Sequence, residues 1–519
     1  MYKVRVLQEI DDRLDAEYYN PAALSTLKKM ETKGKVTTFG SLVNEGYRVV
    51  YHGTDSINGL KDSELLPFLS PTQIDANGAI SFDDADKLPL YYKNRYPKGL
   101  GKAGEILVEV KGNVSKVGIV PLEFPKNLMI SGSLYKATLD PKRADSHYVL
   151  AFLKSKHGQI LKNRLTSNTI INYIAKDALY SIPVIEFGEK AQKYIGDKVR
   201  QAEQLRAWAK VAEMTAEELF NGCVDWSSEV LNVGKINKVS VSELDGRLDL
   251  KYNSPARLAL LRHIKNKEIK TTYLNGLVDI SAMIGWKGLT TEYYTSSGPW
   301  LLRGVEFRDG VIEFEKLVSV DLDKYLEQPQ IHLKEGDIAF SKDGTIGKAI
   351  VIPELSNDMA AGSTIARLRP KRSTEINPYY LELALNHDFV QVQVESFATG
   401  IAQPHITQEW IAQLVIPRVQ DEESIGESLK LHHLANNHSK KLIQTAKTLA
   451  EALIEGQLTE QQLIQAQQAL DDGDNSFDQA ILSKLSNEGY AIEGATPLFS
   501  DTEELYRLLE SAAHAEAEE

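Results

Sequence analysis

Two short motifs could in principle bind a cofactor or carry catalysis, and neither is complete. Residues 344–349, Gly-Thr-Ile-Gly-Lys-Ala, imitate the end of a phosphate-binding loop. That loop needs a glycine five positions before Gly347 and a serine or threonine after the lysine, but the chain has Lys342 and Ala349 there. Residues 377–380, Asn-Pro-Tyr-Tyr, lack the second proline of an adenine methyltransferase motif. We therefore predict that these tyrosines pack in a core.

The sequence also gives little indication of a metal site or a reactive thiol. His432, His433 and His438 do not place a pair of imidazoles one helical turn apart with three residues between them, and no cysteine lies nearby. Cys223 is the only cysteine, so neither an internal disulfide nor a thiolate metal cage is expected. The chain is predicted to be non-catalytic and metal-free. Without a signal peptide or a membrane-length apolar run, a reducing cytoplasm is the expected location.

The net charge of −13 is distributed unevenly. Residues 457–519 hold 14 Asp and Glu residues against Lys484 and Arg507, a net of −12, which leaves −1 for residues 1–456. The body of the chain is thus nearly neutral and can collect its cations on one face. Because a nucleic-acid partner requires such a basic surface, this distribution permits nucleic-acid binding.

The chain consists of two copies of one unit, offset by about 230 to 234 residues. Such a constant offset over most of the chain indicates a tandem duplication. The matched pairs include Arg13-Leu14-Asp15 with Arg247-Leu248-Asp249, Gly104 with Gly336, Gly112 with Gly344, Tyr148 with Tyr380, and Ile182-Pro183 with Ile416-Pro417.

Each copy predicts a mixed α+β globule that is rich in β-structure. The dipeptides at 77–78 and 309–310, Asn-Gly and Asp-Gly, favour tight hairpin turns. Alternating β-rich runs follow at 104–110 and 336–340, and short helices are expected at 148–156 and 379–386. A strand ending in Ile-Pro closes each copy.

A long helix is predicted after each globule, because small and apolar residues recur there at steps of three and four. Gly222 and Gly456 are suited to end the two helices. Two related helices can bury their stripes against each other as a coiled coil. The alternative is that each helix packs against its own globule.

This arrangement resembles the specificity subunit of Type I restriction–modification systems over residues 5–456. The strongest stretch lies in the second copy and comprises Gly288-Leu289, Pro299-Trp300-Leu301, Gly336-Asp337-Ile338, residues 400–406 (Gly-Ile-Ala-Gln-Pro-His-Ile) and Ile416-Pro417. Residues 167–174 of the first copy depart from the Gly-Ile-Ala-Gln pattern, as expected of domains that recognise different sequences.

The resemblance implies an α+β fold made of two target recognition domains, each followed by a long helix, with the helices packed as an antiparallel coiled coil and an acidic helical tail. The expected boundaries are 1–185 and 236–417 for the recognition domains, 186–235 and 418–456 for the spacer helices, and 457–519 for the tail. The implied partners are double-stranded DNA, two methyltransferase subunits and a restriction and translocase subunit, with no membrane. S-adenosylmethionine, ATP and magnesium are expected on those partners and no cofactor on this chain.

The expected length of the helices suits elements that hold two recognition domains at a fixed distance. A helix of about 35 residues spans roughly 50 Å at 1.5 Å per residue, which is about one and a half turns of B-DNA. Two globules held apart by such helices could recognise a bipartite target with an unread spacer. Changing the helix length should then change the spacer, and exchanging a globule should change one half-site.

Candidate DNA contacts are the polar residues of three sets of loops: those around the glycine turns, those before the closing strands, and the equivalent early loops of the two copies. Arg and Lys suit guanine and phosphate, and Asn and Gln suit adenine. The predicted set is Arg48, Lys111, Asn113, Lys116, Arg164, Asn168, Thr169 and Asn172 in the first copy, and Lys287, Arg303, Lys342, Thr345, Lys348, Thr399, Gln403 and His405 in the second.

Several alternatives stay open at this point. A related Type IIB-like or phage-exclusion complex could use the same subunit, and the pure chain could be a nuclease or a scaffold that bridges two proteins without DNA. Activity with and without magnesium, and a gel shift with random duplex, discriminate between the last two. The acidic tail could be a solubilising segment or a docking arm, the latter motivated by its apolar residues Phe477, Leu498, Phe499, Leu505, Tyr506 and Leu508.

Overall fold

The computed structural model describes residues 17–82, 85–166, 172–234, 238–241, 244, 248–283, 290–308, 311–400 and 403–518. The chain divides into two compact units. The N-terminal unit comprises Met1–Trp208 and Ala435–Glu519, and the central unit comprises Ala209–Leu434. Each unit is described by itself.

The N-terminal unit contains the first copy of the repeat, parts of both long helices and the C-terminal extension. Its elements in chain order are α1 Pro21–Lys33, β1 Lys35–Thr38, α2 Phe39–Leu42, β2 Val43–Tyr47, β3 Leu65–Leu69, β4 Asp86–Pro89, α3 Tyr92–Arg95, β5 Ile106–Glu109, β6 Lys111–Gly112, β7 Val117–Ile119, β8 Met129–Ile130, β9 Leu134–Leu139, α4 Ser146–Lys154, α5 Lys156–Asn163, β10 Asn172–Tyr173, α6 Lys176–Tyr180, β11 Pro183–Glu186 and the long helix α7 Glu189–Cys223.

The first copy is built on a four-stranded sheet in the order β2-β9-β5-β7 and a three-stranded sheet in the order β4-β3-β8. Strand β5 is buried along its whole length, so its side chains pack on both faces of the sheet. Two short pairs, β1 with β11 and β6 with β10, join distant parts of the copy. The expected β-rich α+β globule is confirmed.

The central unit contains the second copy. Its elements are α8 Pro255–Asn266, β12 Thr271–Tyr273, α9 Leu274–Leu277, β13 Val278–Ala282, β14 Tyr294–Leu302, β15 Phe307–Arg308, β16 Val311–Ile312, β17 Val318–Val320, α10 Leu322–Leu326, β18 His332–Leu333, β19 Ile338–Ser341, β20 Ala349–Val351, β21 Met359–Ala361, β22 Ile365–Pro370, α11 Pro378–Asn386, α12 Asp388–Phe397, α13 Gln408–Ala412, β23 Val415–Pro417 and the long helix α14 Glu422–Glu455.

The sheets of the second copy repeat those of the first. The order β13-β22-β19-β20 corresponds to β2-β9-β5-β7, and β17-β14-β21 corresponds to β4-β3-β8, with β18 added at the edge. The mixed pairing is also conserved, since β3 runs parallel to β8 and β14 runs parallel to β21. The tandem duplication predicted from the sequence is therefore present in the topology.

The two long helices pack on each other, and the central unit alone shows their direction. His432 of α14 bonds through Nδ1 to the carbonyl oxygen of Ala209 at 2.9 Å. At the other end of this contact, the Cys223 thiol lies 3.4 Å from the Asp421 carboxylate. Residue numbers rise on α7 as they fall on α14, so the helices are antiparallel, as predicted. Within the described residues no helix is both long and apolar enough to cross a membrane.

A close backbone contact continues this helix pair in the N-terminal unit. The Ser439 hydroxyl donates to the carbonyl oxygen of Ala202 at 2.7 Å, and Ala202 is fully buried. Small residues allow such an approach, because a larger side chain would separate the two backbones.

We expect Ala202→Leu to lower the free energy of unfolding by about 1–3 kcal/mol, because added methylene groups overpack a closed seam. The measurement is chemical denaturation followed by circular dichroism. Ala207→Leu is the matched control on the same helix, where the alanine is exposed, and it should change stability by less than about 0.5 kcal/mol. Equal effects of the two substitutions would contradict the close packing at Ala202.

The C-terminal extension is folded onto the N-terminal unit. It forms α15 Glu460–Asp471, α16 Ser476–Leu482 and α17 Thr502–Glu518. Leu498, Phe499, Leu505 and Leu508 are buried, whereas Phe477 is half exposed. The apolar residues that suggested a docking arm therefore mostly stabilise the unit itself, and of these residues Phe477 is the one that remains available to a partner.

A buried ion pair anchors the extension to α7. The Lys198 ammonium lies 2.7 Å from the Asp478 carboxylate, and both side chains are buried. The hydroxyls of Tyr194 and Tyr506 each donate to the same carboxylate at 2.5 Å. A second polar contact joins His438 of α14 to Glu504 at 3.0 Å. The acidic segment is thus an integral part of the unit.

Candidate nucleic-acid interface

In the first copy, strand pairing joins the glycine turn to the loop before the closing strand. Asn172 lies opposite Gly112, and Tyr173 lies opposite Lys111. The backbone at Gly112 has φ +124°, and a Cβ there would come within 2.6 Å of the Glu109 carboxylate. Only glycine fits this position without strain. Two segments that are 60 residues apart in the chain thereby place their polar side chains in one cluster.

The glycine turn is held from inside by a buried carboxylate. Glu109 accepts hydrogen bonds from the backbone N–H groups of Asn113 at 3.1 Å, Ser115 at 2.9 Å and Lys116 at 3.0 Å. This carboxylate is 4 % exposed. Three fixed donors on one buried charge define the path of the turn, because hydrogen bonds to charged groups are the stronger ones.

A buried lysine supports the same turn from the opposite side. The Lys162 ammonium donates to the carbonyl oxygen of Val114, a buried residue with a left-handed φ of 57°. Burial, assisted by the positive charge of Lys154, lowers the pKa of Lys162 to about 7, while the Glu109 carboxylate opposes the shift. Glu109 and Lys162 together preorganise the turn that carries Lys111, which is exposed.

The second copy repeats this juxtaposition with different side chains. The backbone of Asp343 in the glycine turn forms an isolated antiparallel β-bridge with His405, and the backbone of Thr399 forms a second one with the same residue. The Gly344 N–H donates to the carbonyl oxygen of Pro404 at 3.0 Å. At an offset of 232, Asp343 corresponds to Lys111, Gly344 to Gly112 and His405 to Tyr173. The two copies thus bring equivalent loops together.

Charge is arranged differently in the second cluster. The Asp343 carboxylate contacts both the Lys342 ammonium and the imidazole of His405, so it partly neutralises the lysine and fixes the imidazole. The polar side chains that face solvent are Thr345, Lys348, Thr399 and Gln403. They are suited to contact a ligand without first breaking an internal ion pair.

Three predicted arginines are engaged in contacts within the chain. Arg48 donates through Nε to the carbonyl oxygen of Gly132 at 2.6 Å, and its guanidinium lies 5.4 Å from the Tyr173 ring centroid, beside the first cluster.

Arg164 is buried, with its guanidinium 4.5 Å from the Tyr18 ring centroid. Arg303 donates through Nε to Glu306 at 2.9 Å. Among the three, Arg48 therefore lies next to the cluster, whereas Arg164 and Arg303 belong to other contacts. Asn168, Thr169 and Lys287 lie outside the described residues.

Sequence reasoning passed over the residues that shape the two turns. Glu109 and Ser341 occupy equivalent positions at an offset of 232, as do Lys162 and Val394. The Ser341 hydroxyl accepts the Lys348 N–H at 2.9 Å, which repeats the role of Glu109 in neutral form. An alignment of the two copies shows that the charged pair Glu109 and Lys162 is replaced by the neutral pair Ser341 and Val394. This replacement is the signal in the sequence that could have identified the residues supporting the turns.

The rejected motifs have structural roles. The Asn377 side chain accepts from the N–H groups of Tyr379 and Tyr380 and thereby caps α11. The Tyr380 hydroxyl donates to the carbonyl oxygen of Pro417 at 2.8 Å, inside the core. These contacts agree with the predicted structural role of the tyrosines.

His432 and His433 of α14, together with His387, line a cavity of about 200 Å³ in the central unit. His433 lies 2.8 Å from Glu382, and His387 lies 3.0 Å from the Asn221 side chain. Burial lowers the pKa of His387 to about 4. Within the described part of the chain, no group of three or more His, Cys, Asp or Glu side chains is arranged to hold a metal ion.

Residues 292–447 match the family model described as the Type I restriction modification DNA specificity domain. This match covers most of the second copy and much of the long helix after it, so the resemblance predicted from the residues of the second copy is confirmed. A comparison with curated proteins gives no match.

Two solved structures align with most of the chain. The S subunit of the Type I restriction-modification system from M. genitalium is 14% identical and has a TM-score of 0.39, with 81% of this chain and 95% of that chain covered. The HsdS subunit from Thermoanaerobacter tengcongensis is 14% identical and has a TM-score of 0.27, with 82% and 97% covered.

Proposed function

We propose that this chain is the DNA-recognising, non-catalytic subunit of a Type I restriction–modification complex. Each copy recognises one half of a bipartite duplex target, and the antiparallel helices set the spacing between the halves. The supporting observation is the equivalent pairing of the glycine turn with the loop before the closing strand in both copies. Duplicated readers at a fixed separation are the general solution for two half-sites.

The proposal assigns the chemistry to partner chains. Two methyltransferase subunits would bind S-adenosylmethionine, and a restriction and translocase subunit would use ATP and magnesium. This chain contributes the polar clusters that recognise bases and phosphates. Lys111, Asn113, Lys116 and Asn172 form the first cluster, and Thr345, Lys348, Thr399 and Gln403 are the exposed members of the second.

The test is to map methylated adenines in the genome of a host that expresses this chain with its methyltransferase. We expect one bipartite motif with two specified halves and an unspecified spacer. Lys111→Ala with Asn113→Ala should alter only one half, and Thr345→Ala with Gln403→Ala only the other. Each lost base contact should cost about 1–3 kcal/mol of discrimination.

The unchanged half and the unchanged spacer length serve as internal controls in each variant. A contiguous motif, or a change in both halves from substitutions in one copy, would contradict the assignment of one copy to one half-site. Methylation at the same sites without this chain would contradict its role as the recognition subunit.

A further inference from the structure

The two copies differ most in charge at one equivalent element. Residues 91–102 of the first copy carry four cations and no acid, a net of +4. The counterpart at an offset of 230, residues 321–332, carries three acids and one lysine, a net of −2. These segments contain α3 and α10, so the same structural position is basic in one copy and acidic in the other.

Two of the four cations of the first segment are exposed and lie against aromatic rings. Arg95 is about half exposed, with its guanidinium 5.4 Å from the Tyr96 ring centroid. The exposed Lys98 ammonium lies 5.6 Å from the ring centroid of Tyr47. Contacts of this kind hold a cation in place while leaving it open to solvent.

Two acids lie close to this surface. Asp55 is 3.7 Å from Arg95 and also accepts the Tyr91 hydroxyl, and Glu45 pairs with Lys102 at 3.1 Å. All four charged groups in these pairs are more than half exposed. Exposed pairs contribute little and are screened by salt, so a polyanion can replace the acids as the partner of Arg95 and Lys102.

The basic surface and the first cluster are linked through the end of β2. Tyr47 precedes Arg48, whose guanidinium lies 5.4 Å from the Tyr173 ring centroid. Tyr173 is paired in turn with Lys111 of the glycine turn. We call the residues Tyr47, Arg48, Tyr91, Arg95 and Lys98 the aromatic-basic band. It extends the candidate interface of the first copy to α3.

Most of the aromatic rings that lie beneath the aromatic-basic band pack against one another. Tyr92 is buried, and Tyr51 packs edge-on against Phe68 and Tyr96 while donating to the carbonyl oxygen of Ile130 at 2.9 Å. Tyr91 is the one of these rings that is half exposed. Single-strand binding needs several free ring faces for stacked bases, so the exposed cations favour the phosphates of a duplex.

We propose that the aromatic-basic band binds the phosphodiester backbone of duplex DNA next to the half-site of the first copy, and that the second copy lacks this contact. The inference rests on the proposed function and adds a sequence-independent contact with the DNA backbone on one side of the target. Arg95 and Lys98 supply the phosphate contacts, and the tyrosines hold them in place.

The test compares the full chain with its Arg95→Ala, Lys98→Ala double variant in binding to random-sequence duplex DNA at increasing salt. Each phosphate contact contributes about 0.9 to the slope of log K against log salt. The double variant should therefore lose roughly 1.8 from this slope. Its melting temperature should match that of the wild type, because both side chains are exposed.

Two further variants isolate the cause. Arg95→Lys with Lys98→Arg keeps both charges and should keep the slope. Lys324→Ala, at the only lysine of the counterpart segment, should leave it unchanged. A wild-type slope in the double alanine variant would overturn the inference, as would an equal loss in Lys324→Ala.

Two other outcomes are distinguishable from these. Tighter binding of random single strands than of duplex, lost in the double alanine variant, would overturn the assignment to duplex. If the wild type itself shows no salt-dependent binding to duplex DNA, both the proposed function and this inference are overturned, whereas a wild-type slope in the double alanine variant overturns the inference alone.

Discussion

Replacing Asp478 with alanine is expected to lower the free energy of unfolding of the chain by about 3–5 kcal/mol, which is the range for breaking a buried ion pair by removing one partner. The substitution leaves the Lys198 ammonium buried without its anion, 2.7 Å from the vacated carboxylate position. It also removes the acceptor of the Tyr194 and Tyr506 hydroxyls. Chemical denaturation of the full chain measures the loss.

Phe477→Ala is the neighbouring control, because this side chain is half exposed. It should change stability by about 0.5 kcal/mol or less. Lys198→Met combined with Asp478→Leu should recover part of the loss, since no buried charge is then left unpaired. If Asp478→Ala is no more destabilising than Phe477→Ala, the extension is not anchored in this way.

The same ion pair predicts an acid-sensitive extension. Burial pushes the pKa of Asp478 upward, but Lys198 and the two tyrosine hydroxyls hold it below its ordinary value. A lowered pKa in the folded state means that the stabilisation is complete above the ordinary aspartate pKa of about 3.9 and is lost as pH falls through the folded value. The contribution of Asp478 is therefore intact at neutral pH.

Local pattern predicted the elements well, because the duplication repeats each signal. The run at 104–110 contains β5, and the run at 336–340 overlaps β19. One helix was expected at 148–156, and the structure instead ends α4 at Lys154 and begins α5 at Lys156. The Ser155 side chain accepts the Gly158 N–H and caps the second helix, a signal that apolar spacing alone does not contain.

Composition was a poorer guide to the C-terminal extension. Its acidity suggested a segment in solvent, and its apolar residues suggested contacts with another protein. Leu505 and Leu508 instead lie at helical spacing on α17 and are buried within the N-terminal unit. The distinction depends on which surface those residues contact. A tertiary contact across 280 residues, such as Lys198 with Asp478, leaves no local trace in the sequence.

The candidate site shows the same division between local and distant information. Residue type and the glycine turns predicted that residues such as Lys111 and Thr399 lie in polar loops. Arg164, in contrast, is buried against Tyr18, which lies just before α1 and far away in the chain. Likewise, the support of the first turn by Lys162 requires α5 to pass beneath it. Such support becomes visible only when the chain is folded.

The support of that turn is the basis of the second large effect. Glu109→Ala is expected to destabilise the glycine turn of the first copy by about 3 kcal/mol. It removes a buried charge that accepts three backbone hydrogen bonds, each of which contributes about 1.5–3 kcal/mol. Water at the exposed Asn113 and Ser115 recovers part of this loss. Hydrogen exchange of the peptide that spans residues 109–117 measures the loss directly.

Ser341→Ala is the matched control, since Ser341 occupies the equivalent position in the second copy and accepts one hydrogen bond from a backbone N–H. A single neutral hydrogen bond contributes about 1 kcal/mol, so exchange in the second turn should rise less than in the first. The methylated motif should follow the same asymmetry: Glu109→Ala blurs one half-site, and Ser341→Ala leaves both nearly intact. The Glu109 side chain is buried, so it acts on a ligand only through the turn. An unaltered half-site together with a loosened turn would show that the turn does not recognise DNA. An unaltered turn would show that the buried carboxylate does not stabilise it.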